Sequence, residues 1–317
     1  MPLRPPRLEP GDTIALAAPA GPILDPVCLD RAVARLEQLG YRVLVPARIH
    51  RRRGYLAGSD RERLSELHRL FRQRRIKAIL CVRGGYGSAR LLPQLDYQLV
   101  RAHPKIFVGY SDITALHCAL QSQADLVTFH GPMAGPDLGH SELPEFTLQN
   151  FLRAVTWVEP IGVIRSPEGS CQIRTLYKGR AIGRLVGGNL SVLVSLLGTP
   201  FLPDFRGRIL CLEEVGEPLY RVDRMLTQLD QTGLIHQVAG IAIGTCERCE
   251  DTPSVHPGST KATLEQVCRE RLKSLRKPVL FGLPFGHTAY NVTLPLHALA
   301  ELDADQGSLR ILEPGVS

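Results

Sequence analysis

Short apolar segments alternate with amphipathic segments along the first half of the sequence, and this alternation limits the fold more than any other feature. In 30–39 and 61–72, apolar residues recur at the spacing of a helix. The mostly apolar segments that flank them are 13–17, 41–45, 78–82 and 106–109. Apolar strands joined by helices are typical of a parallel sheet with helices on both faces. We therefore predict an α/β domain with a parallel sheet.

The second half of the chain predicts a separate domain of another build. A length of 317 residues exceeds the size at which a single core usually stops growing. Proline and glycine recur in 157–178, which we interpret as a linker between a first domain at 1–156 and a second at 179–317. The second domain has strands and helices and ends in a predicted hairpin over 298–312. We expect a mixed α/β domain there.

The apolar runs are too short to span a membrane. None reaches the roughly 18 residues that a spanning helix requires. Residues 1–10 are not followed by the apolar core of a signal peptide. We therefore expect a cytoplasmic protein without a membrane partner.

An excess of basic residues raises the question of nucleic acid binding. The formal net charge is +7, and arginines are densest at 51–53 and in 61–77. Acidic residues are interspersed there, and no aromatic stacking surface accompanies the arginines. We interpret the cluster as a solvated helix face and expect no nucleic acid partner, although the positive excess can attract an acidic small substrate.

Eight cysteines occur, mostly within apolar runs, where they behave as small hydrophobic residues. Cys246 and Cys249 have the CxxC spacing of a redox pair or of half a zinc site. A zinc site needs a second pair at suitable spacing, which the sequence lacks. We therefore expect no functional role for this pair.

Ser111 stands where a predicted strand meets a predicted helix. The strand is 106–109, Gly109 permits a tight turn, and the helix runs from about 113 to 120. Such a corner lifts a side chain above the sheet edge and aims backbone N–H groups at the group it attacks, as in a nucleophile elbow. Ile113 replaces the second glycine of the G-x-S-x-G pattern. A helix N-cap explains the serine equally well from the corner alone.

Gly84, Gly85 and Gly87 follow the apolar strand at 78–82. Their spacing differs from the G-x-G-x-x-G of dinucleotide-binding folds. A strand-end loop next to the serine corner can instead present a backbone N–H to an oxyanion, with the Asp112 N–H as the other donor. We therefore predict an oxyanion hole formed by Gly85 and Asp112.

A nucleophilic serine needs a base, and the base needs an orienting carboxylate. His287 follows a predicted strand in a segment rich in Gly and Pro, where a loop can present an imidazole. His130 is the runner-up, whereas His117 falls inside the helix after the corner. Glu213 and Glu214 end a strand that reads as buried. Acids in such places are often ion pairs or caps, but a strand end that faces a cleft favours a functional role.

Several short motifs follow one another in a fixed order. In the first half they are 11–14, 18–20, 54–60, 83–87 and 104–114, and in the second half they are 187–191, 197–200, 212–217, 220–226, 286–287 and 291–295. This ordered set, which runs almost end to end, resembles the LD-carboxypeptidase family of serine peptidases, also called muramoyltetrapeptide carboxypeptidases. Each motif is modest alone, and the ordered set is highly specific.

The resemblance implies a catalytic triad of Ser111, Glu213 and His287. Glu214 is the competitor of Glu213, because adjacent residues of a strand point to opposite faces. The sequence departs from the family at His297, where members often have glycine. This change leaves the assignment of the triad as it is, and we expect it to alter the nearby strand.

The resemblance also implies a flavodoxin-like N-terminal domain with a parallel sheet and a C-terminal swivelling β/β/α domain, with the catalytic cleft between them. We expect Gly84, Tyr86 and Asn189 to contact the substrate. That substrate is the L,D-bond between a diamino acid and the terminal D-Ala of a murein tetrapeptide, cleaved in cytoplasmic wall recycling. The family further implies a homodimer and a mechanism that needs no metal or cofactor.

Two alternatives remain. The related microcin C immunity peptidases cleave peptidyl-nucleotide antibiotics and are expected to carry an aromatic platform for the nucleobase. Trp157 is the only tryptophan and falls in the predicted linker, which ranks this function second. The other alternative is a two-domain ligand-binding protein that uses the glycine loop without chemistry.

Overall fold

The computed structural model describes residues 1–167, 172–250 and 262–317, which form two β-sheets with helices between and around them. Residues 168–171 of the predicted linker lie outside the described residues. The sequence also predicts a helix over 261–275, and its first residue, Lys261, lies outside them as well. No helix within the described ranges is long and apolar enough to cross a membrane.

The first sheet has six strands, of which the first five in the chain run parallel. In spatial order they are β12 (Leu294–Leu296), β5 (Thr128–His130), β4 (Ile106–Gly109), β3 (Ile76–Cys81), β1 (Thr13–Ala17) and β2 (Arg42–Leu44). The helices that accompany it are α1 (Pro26–Gln38), α2 (Asp60–Arg72), α3 (Tyr97–Ala102), α4 (Thr114–Ala124) and α5 (Glu145–Thr156). Helix α2 begins with a capping box in which Ser59 and Glu62 satisfy each other's backbone N–H groups.

The second sheet has eight strands with a parallel centre and antiparallel flanks. In spatial order they are β6 (Gly162–Ile164), β14 (Ser308–Ile311), β13 (Leu299–Asp303), β8 (Arg180–Asn189), β9 (Ile209–Val215), β10 (Gly240–Glu247), β11 (Val279–Gly286) and β7 (Arg174–Tyr177). Its helices are α6 (Leu190–Ser195), α7 (Leu219–Gln231) and α8 (Leu264–Leu272).

Helix α4 joins the two halves, and nearly all of its residues are buried. Its apolar side chains belong to one core cluster with residues of β8 and α6. At its start, the Asn189 backbone N–H donates to Thr114 Oγ1 at 2.9 Å. Near its end, Gln121 Nε2 donates to the Leu185 carbonyl at 3.1 Å. Helix α4 and strand β8 therefore run in opposite directions along each other.

The predicted α/β fold with a parallel sheet and a second domain is confirmed. The stretch 157–178, which we interpreted as a linker, contributes β6 and β7 to the two edges of the second sheet. Strand β12, from the C-terminal part of the chain, pairs antiparallel with β5 and completes the first sheet. The boundaries at 156 and 179 stay a prediction.

Candidate active site

Ser111 lies at a strained corner between β4 and α4. Its φ angle is +63°, in the left-handed region that residues other than glycine rarely adopt. Holding such a residue costs on the order of 1 kcal/mol, and the conformation persists only where the surrounding structure imposes it. A Cβ on Gly109 would lie 3.0 Å from the Ile113 side chain, which would have to shift to admit a larger residue at this position. The corner therefore has the strained geometry of a nucleophile elbow.

The loop over 84–88, which contains Gly84, Gly85 and Gly87, packs directly against Ser111. A Cβ on Gly84 would lie 2.9 Å from Ser111 Oγ and 3.3 Å from the Asp112 backbone nitrogen, so any larger residue would displace the hydroxyl. The Ser88 backbone N–H donates to Asp112 Oδ2 at 2.8 Å, and the Ser88 hydroxyl donates to the Asp112 carbonyl at 2.5 Å. These bonds fix the loop to the corner.

Two backbone N–H groups, one in the 84–88 loop and one directly after the serine, have no hydrogen-bond partner among the described residues. They belong to Gly85, which has a φ of +99°, and to Asp112, which lies in the first turn after the corner. Donors left unpaired at a helix start are available to an anion. The two N–H groups predicted as oxyanion donors are therefore available to donate to an anion.

Glu213 and His287 meet at the carboxyl ends of β9 and β11. His287 Nδ1 lies 2.6 Å from Glu213 Oε2, and the Glu213 side chain is fully buried. A Cβ on Gly286 would come within 2.7 Å of Glu213 Cβ, so only glycine lets the two strand ends approach this closely. Glu213 Oε1 has no hydrogen-bond partner in the described structure, and His287 Nε2 makes no bond to a described residue. The contact directs Nε2 of the imidazole away from the carboxylate.

Glu214 points away from this pair and stabilises the start of α6. Its carboxylate accepts hydrogen bonds from Asn189 Nδ2 and from the backbone N–H groups of Ser191 and Val215, at 2.8 to 2.9 Å. Asn189 Oδ1 in turn caps α6 by accepting from the Val192 N–H. The side chain of Asn189, predicted to contact the substrate, is thus engaged within the protein.

The electrostatic surroundings raise the pKa of His287. Burial acts in the opposite direction, but the hydrogen bond and charge of Glu213, with the charges of Glu214 and Asp137, outweigh it. The imidazolium form is therefore stabilised relative to a histidine in water. A base that accepts a proton during a reaction benefits from such stabilisation.

Sequence reasoning missed a cleft of about 340 Å³ beside His287. The Tyr110 ring packs edge-on against the His287 ring at 4.8 Å between centroids, and its hydroxyl donates to Asp137 Oδ1 at 3.3 Å. Burial raises the pKa of Asp137 to about 6. Glu142 and Glu247 add two further carboxylates to the lining. In the sequence, the only indication that Tyr110 belongs to the site is its position directly before Ser111.

Tyr110 connects the two halves of the site, because it precedes Ser111 in the chain and contacts His287. No hydrogen bond joins the Ser111 hydroxyl to the His287 ring in the described structure. Such bonds are often long in the absence of substrate and shorten when it binds. Tyr86 is exposed at the surface, where it packs edge-on against Tyr55.

The other candidate histidines lie in the core. His117 Nε2 is 2.8 Å from the Gly109 carbonyl. Both ring nitrogens of His130 are buried without a hydrogen-bond partner in the described structure, and burial lowers its pKa well below the ordinary value. His130 is therefore neutral and packs against Tyr110 and Phe285.

A larger, open depression of about 850 Å³ lies beside β2, away from the residues of this site. Arg48 and Arg69 in its lining pair with the buried Glu66. Arg63, from the same basic cluster, is buried and donates to the Gly87 carbonyl at 2.8 Å. The basic stretch thus serves the fold in part.

Cys246 and Cys249 are free thiols, and Cys249 is buried. Among the described residues, no group of three or more His, Cys, Asp or Glu side chains is placed to hold a metal ion.

A serine on a strained corner, an imidazole held by a buried carboxylate and two unpaired amide donors are the components of a serine-type hydrolase. Comparison with known proteins narrows this class. Residues 14–131 match the model of the LD-carboxypeptidase N-terminal domain, and residues 182–302 match that of the C-terminal domain. The chain belongs to the LD-carboxypeptidase family and is a serine-type carboxypeptidase.

Individual relatives agree with this assignment over nearly their full length. The chain is 39% identical to the probable murein peptide carboxypeptidase of Bacillus subtilis, covering 99% of this chain and 95% of the relative. The solved muramoyltetrapeptide carboxypeptidase from Oxalobacter formigenes has a TM-score of 0.81 at 31% identity, with coverage of 94% and 97%. The structure of MccF in complex with glutamyl sulfamoyl guanosine has a TM-score of 0.92 at 28% identity and covers both chains completely.

Proposed function

We propose that the protein releases terminal D-Ala from murein tetrapeptides by hydrolysing an L,D-peptide bond with a triad of Ser111, His287 and Glu213. The 2.6 Å contact between His287 Nδ1 and Glu213 Oε2, beside the corner that carries Ser111, is the observation that carries this proposal. The family membership, and the names of the Bacillus and Oxalobacter relatives, support the substrate class.

In this mechanism His287 Nε2 takes the Ser111 proton as Oγ attacks the carbonyl carbon before the terminal D-Ala. Glu213 accepts the Nδ1–H bond and stabilises the imidazolium. The negative charge that develops on the carbonyl oxygen is bound by the N–H groups of Gly85 and Asp112. The C–N bond then breaks, D-Ala leaves with the proton from His287, and water hydrolyses the acyl-enzyme by the reverse sequence.

The cleft beside His287 supports a substrate with a free amino group. Asp137, Glu142 and Glu247 line it, and no arginine or lysine is among the described residues of its lining. A diamino acid carries an ammonium group that these carboxylates attract. The side-chain carboxylate of a glutamyl nucleotide would be repelled by these three carboxylates. This contrast favours the tetrapeptide over the ligand class bound by MccF.

The microcin-type activity remains the second candidate because of the close likeness to the MccF structure. Trp157, the residue best suited to stack on a nucleobase, is half-exposed, but the Arg153 guanidinium covers its ring at 4.6 Å.

We expect the purified protein to release D-Ala from murein tetrapeptide and to leave glutamyl sulfamoyl guanosine intact. Mass spectrometry of both reactions measures the ratio of the two kcat/KM values, which we expect to exceed about 100-fold in favour of the tetrapeptide. A tetrapeptide that ends in L-Ala is the matched control. Faster cleavage of the sulfamoyl compound would assign the protein to the second candidate function.

The activity should decline toward acidic pH with an apparent pKa above 6.5, because His287 must be neutral to accept the serine proton and its pKa is raised. The pH dependence of kcat/KM measures this limb. The raised pKa also makes the stability of the fold depend on pH, but stability falls as the pH rises, whereas activity falls as the pH is lowered. The folded-state pKa lies above the unfolded value, so the ion pair stabilises the fold fully below pH 6.5, and this stabilisation is lost as the pH rises through the raised pKa.

The Glu213→Gln variant tests the cause of the shift. It removes the hydrogen bond and charge that raise the pKa, so the acid limb of any residual activity should move to lower pH. An acid limb that stays in place would show that another group controls it.

We also propose that the chain divides into domains at 1–156 and 179–317. We further propose that it forms a homodimer and acts in cytoplasmic wall recycling. Sedimentation equilibrium of the purified chain measures the oligomeric state directly.

A further inference from the structure

His297 lies at a buried junction between the two halves of the chain. Its side chain is 5% exposed, and Nε2 lies 2.7 Å from Asp125 Oδ1, just past the end of α4. Nδ1 lies 2.9 Å from Gln121 Nε2, on α4 itself, and 3.1 Å from Arg208 Nη1, which precedes β9. One imidazole thus contacts both the helix that follows Ser111 and the segment that leads into the strand of Glu213.

The partners of His297 determine its tautomer. Arg208 can only donate, so Nδ1 must carry a lone pair, and the proton resides on Nε2. Nε2–H therefore donates to the Asp125 carboxylate, which makes the hydrogen bond charge-assisted. Burial lowers the pKa of the ring, and the charge of Arg208 adds to this against the effect of Asp125. The neutral ring fits all of these contacts.

The backbone of His297 is held in an unfavourable conformation. Its φ angle is +81°, where a residue with a side chain is strained. Arg184 Nη1 donates to the His297 carbonyl at 2.9 Å and to Glu313 Oε2 at 2.7 Å, which fixes the turn after β12. Glycine would adopt this φ without strain, so the side chain has to contribute something that offsets the cost.

The contribution that we assign to His297 is to hold the C-terminal end of helix α4 in place. The helix begins beside Ser111, packs along β8 and ends at the contact between Asp125 and His297. Strand β8 pairs directly with β9, where Asn189 lies opposite Glu213. A helix anchored at both ends cannot slide or rotate on the sheet. The spacing between the serine and the carboxylate is then fixed by two anchors, Thr114 at one end and His297 at the other.

We propose that His297 is a positioning residue that, through Asp125, anchors the end of helix α4 and thereby sets the distance from Ser111 to the pair His287–Glu213. This inference rests on the proposed triad. It predicts a loss in the chemical step when the anchor is removed, with little change in substrate binding, because neither residue lines the cleft.

The test compares Asp125→Gly, Asp125→Asn and His297→Gly by the rate at which a fluorophosphonate labels Ser111. Asp125 has a φ of +56°, a conformation that Gly and Asn both adopt readily, so these two variants retain the helix end. We expect D125G and H297G each to slow labelling about tenfold, because sub-ångström displacement of reacting groups is costly. D125N keeps an acceptor oxygen and should label within about twofold of the wild-type rate. The double variant D125G/H297G should be no slower than the slower single variant.

Arg276→Gly is the matched control, since Arg276 is an exposed residue at a φ of +50° that follows α8 in the chain. It should label at the wild-type rate. Wild-type labelling by both D125G and H297G, multiplicative losses in the double variant, or losses that follow a falling melting temperature would each overturn the positioning role.

Steady-state kinetics on the tetrapeptide provide a second readout, in which kcat should fall in D125G while KM stays within about twofold. A fall in kcat/KM caused by KM alone would contradict the proposal. Labelling does not use the tetrapeptide. A wild-type protein that is labelled but releases no D-Ala would therefore refute the proposed substrate and leave the labelling comparison as a valid test of the anchor.

Discussion

Replacing Ser111 by alanine is expected to lower the release of D-Ala from murein tetrapeptide by at least about 10⁴-fold, because the acyl-enzyme can no longer form. The hydroxyl lies against the Gly84 backbone and beside the N–H of Asp112, which has no partner among the described residues. Alanine occupies the same strained φ with one atom fewer, so the melting temperature should change little. The measurement is kcat on the purified tetrapeptide, together with a thermal melt.

Ser195→Ala is the matched control for this substitution. Ser195 is exposed at the end of α6, and among the described residues its hydroxyl bonds only to the carbonyl of Val192 in its own helix. Its variant should retain wild-type turnover. If S111A released D-Ala within tenfold of the wild-type rate, the serine would be a helix cap rather than a nucleophile.

The second large effect concerns the two adjacent glutamates. Glu213→Gln is expected to reduce kcat by about 10³–10⁴-fold, since a carboxamide NH₂ facing Nδ1 selects the tautomer that cannot accept the serine proton on Nε2. The variant keeps the size of the side chain, and its buried Oε1 has no protein partner to lose in the described structure. Its stability should therefore change less than its activity.

Glu214→Gln is the comparison that makes this prediction specific. Its carboxylate accepts three hydrogen bonds, so an NH₂ group in place of one oxygen sets a donor against a donor. We expect a loss of about 1–3 kcal/mol in the free energy of unfolding, with kcat per folded molecule within a few-fold of wild type. Unfolding curves and active-site titration separate the two effects. A larger loss of kcat in E214Q than in E213Q would exchange the roles of the two acids.

Much of the fold was predictable because it follows from local pattern. The apolar runs that became β1, β3 and β4 are continuous, and the helical spacing at 61–72 is accompanied by an N-cap at Ser59. Strand β12 was not predicted, because it pairs with β5 across more than 160 residues and is only three residues long. The strands within 157–178 were hidden by the surrounding proline and glycine.

In the candidate site, too, some features were predictable from the sequence, and others arise only from the three-dimensional packing. The contact between His287 and Glu213 was expected from the ordered motifs, whereas residue type alone left Glu214 as a competitor. The left-handed conformation of Ser111 has no signal in the sequence, since it is imposed by the packing of the 84–88 loop on the corner. Asp137 and Glu247 reach the cleft from different elements, so their proximity exists only in three dimensions.

The contribution of strand β12 to the first sheet limits how the chain can be divided into fragments. Without residues 294–296, strand β5 would have an open edge in the first sheet, and His130 would lose the cover that Leu294 provides. The N-terminal half of the chain therefore lacks a strand that only the C-terminal part supplies. The N-terminal half cannot be expressed as an autonomous fragment with an intact sheet, and chimeras with a relative must carry the 294–296 segment from the same parent as β5.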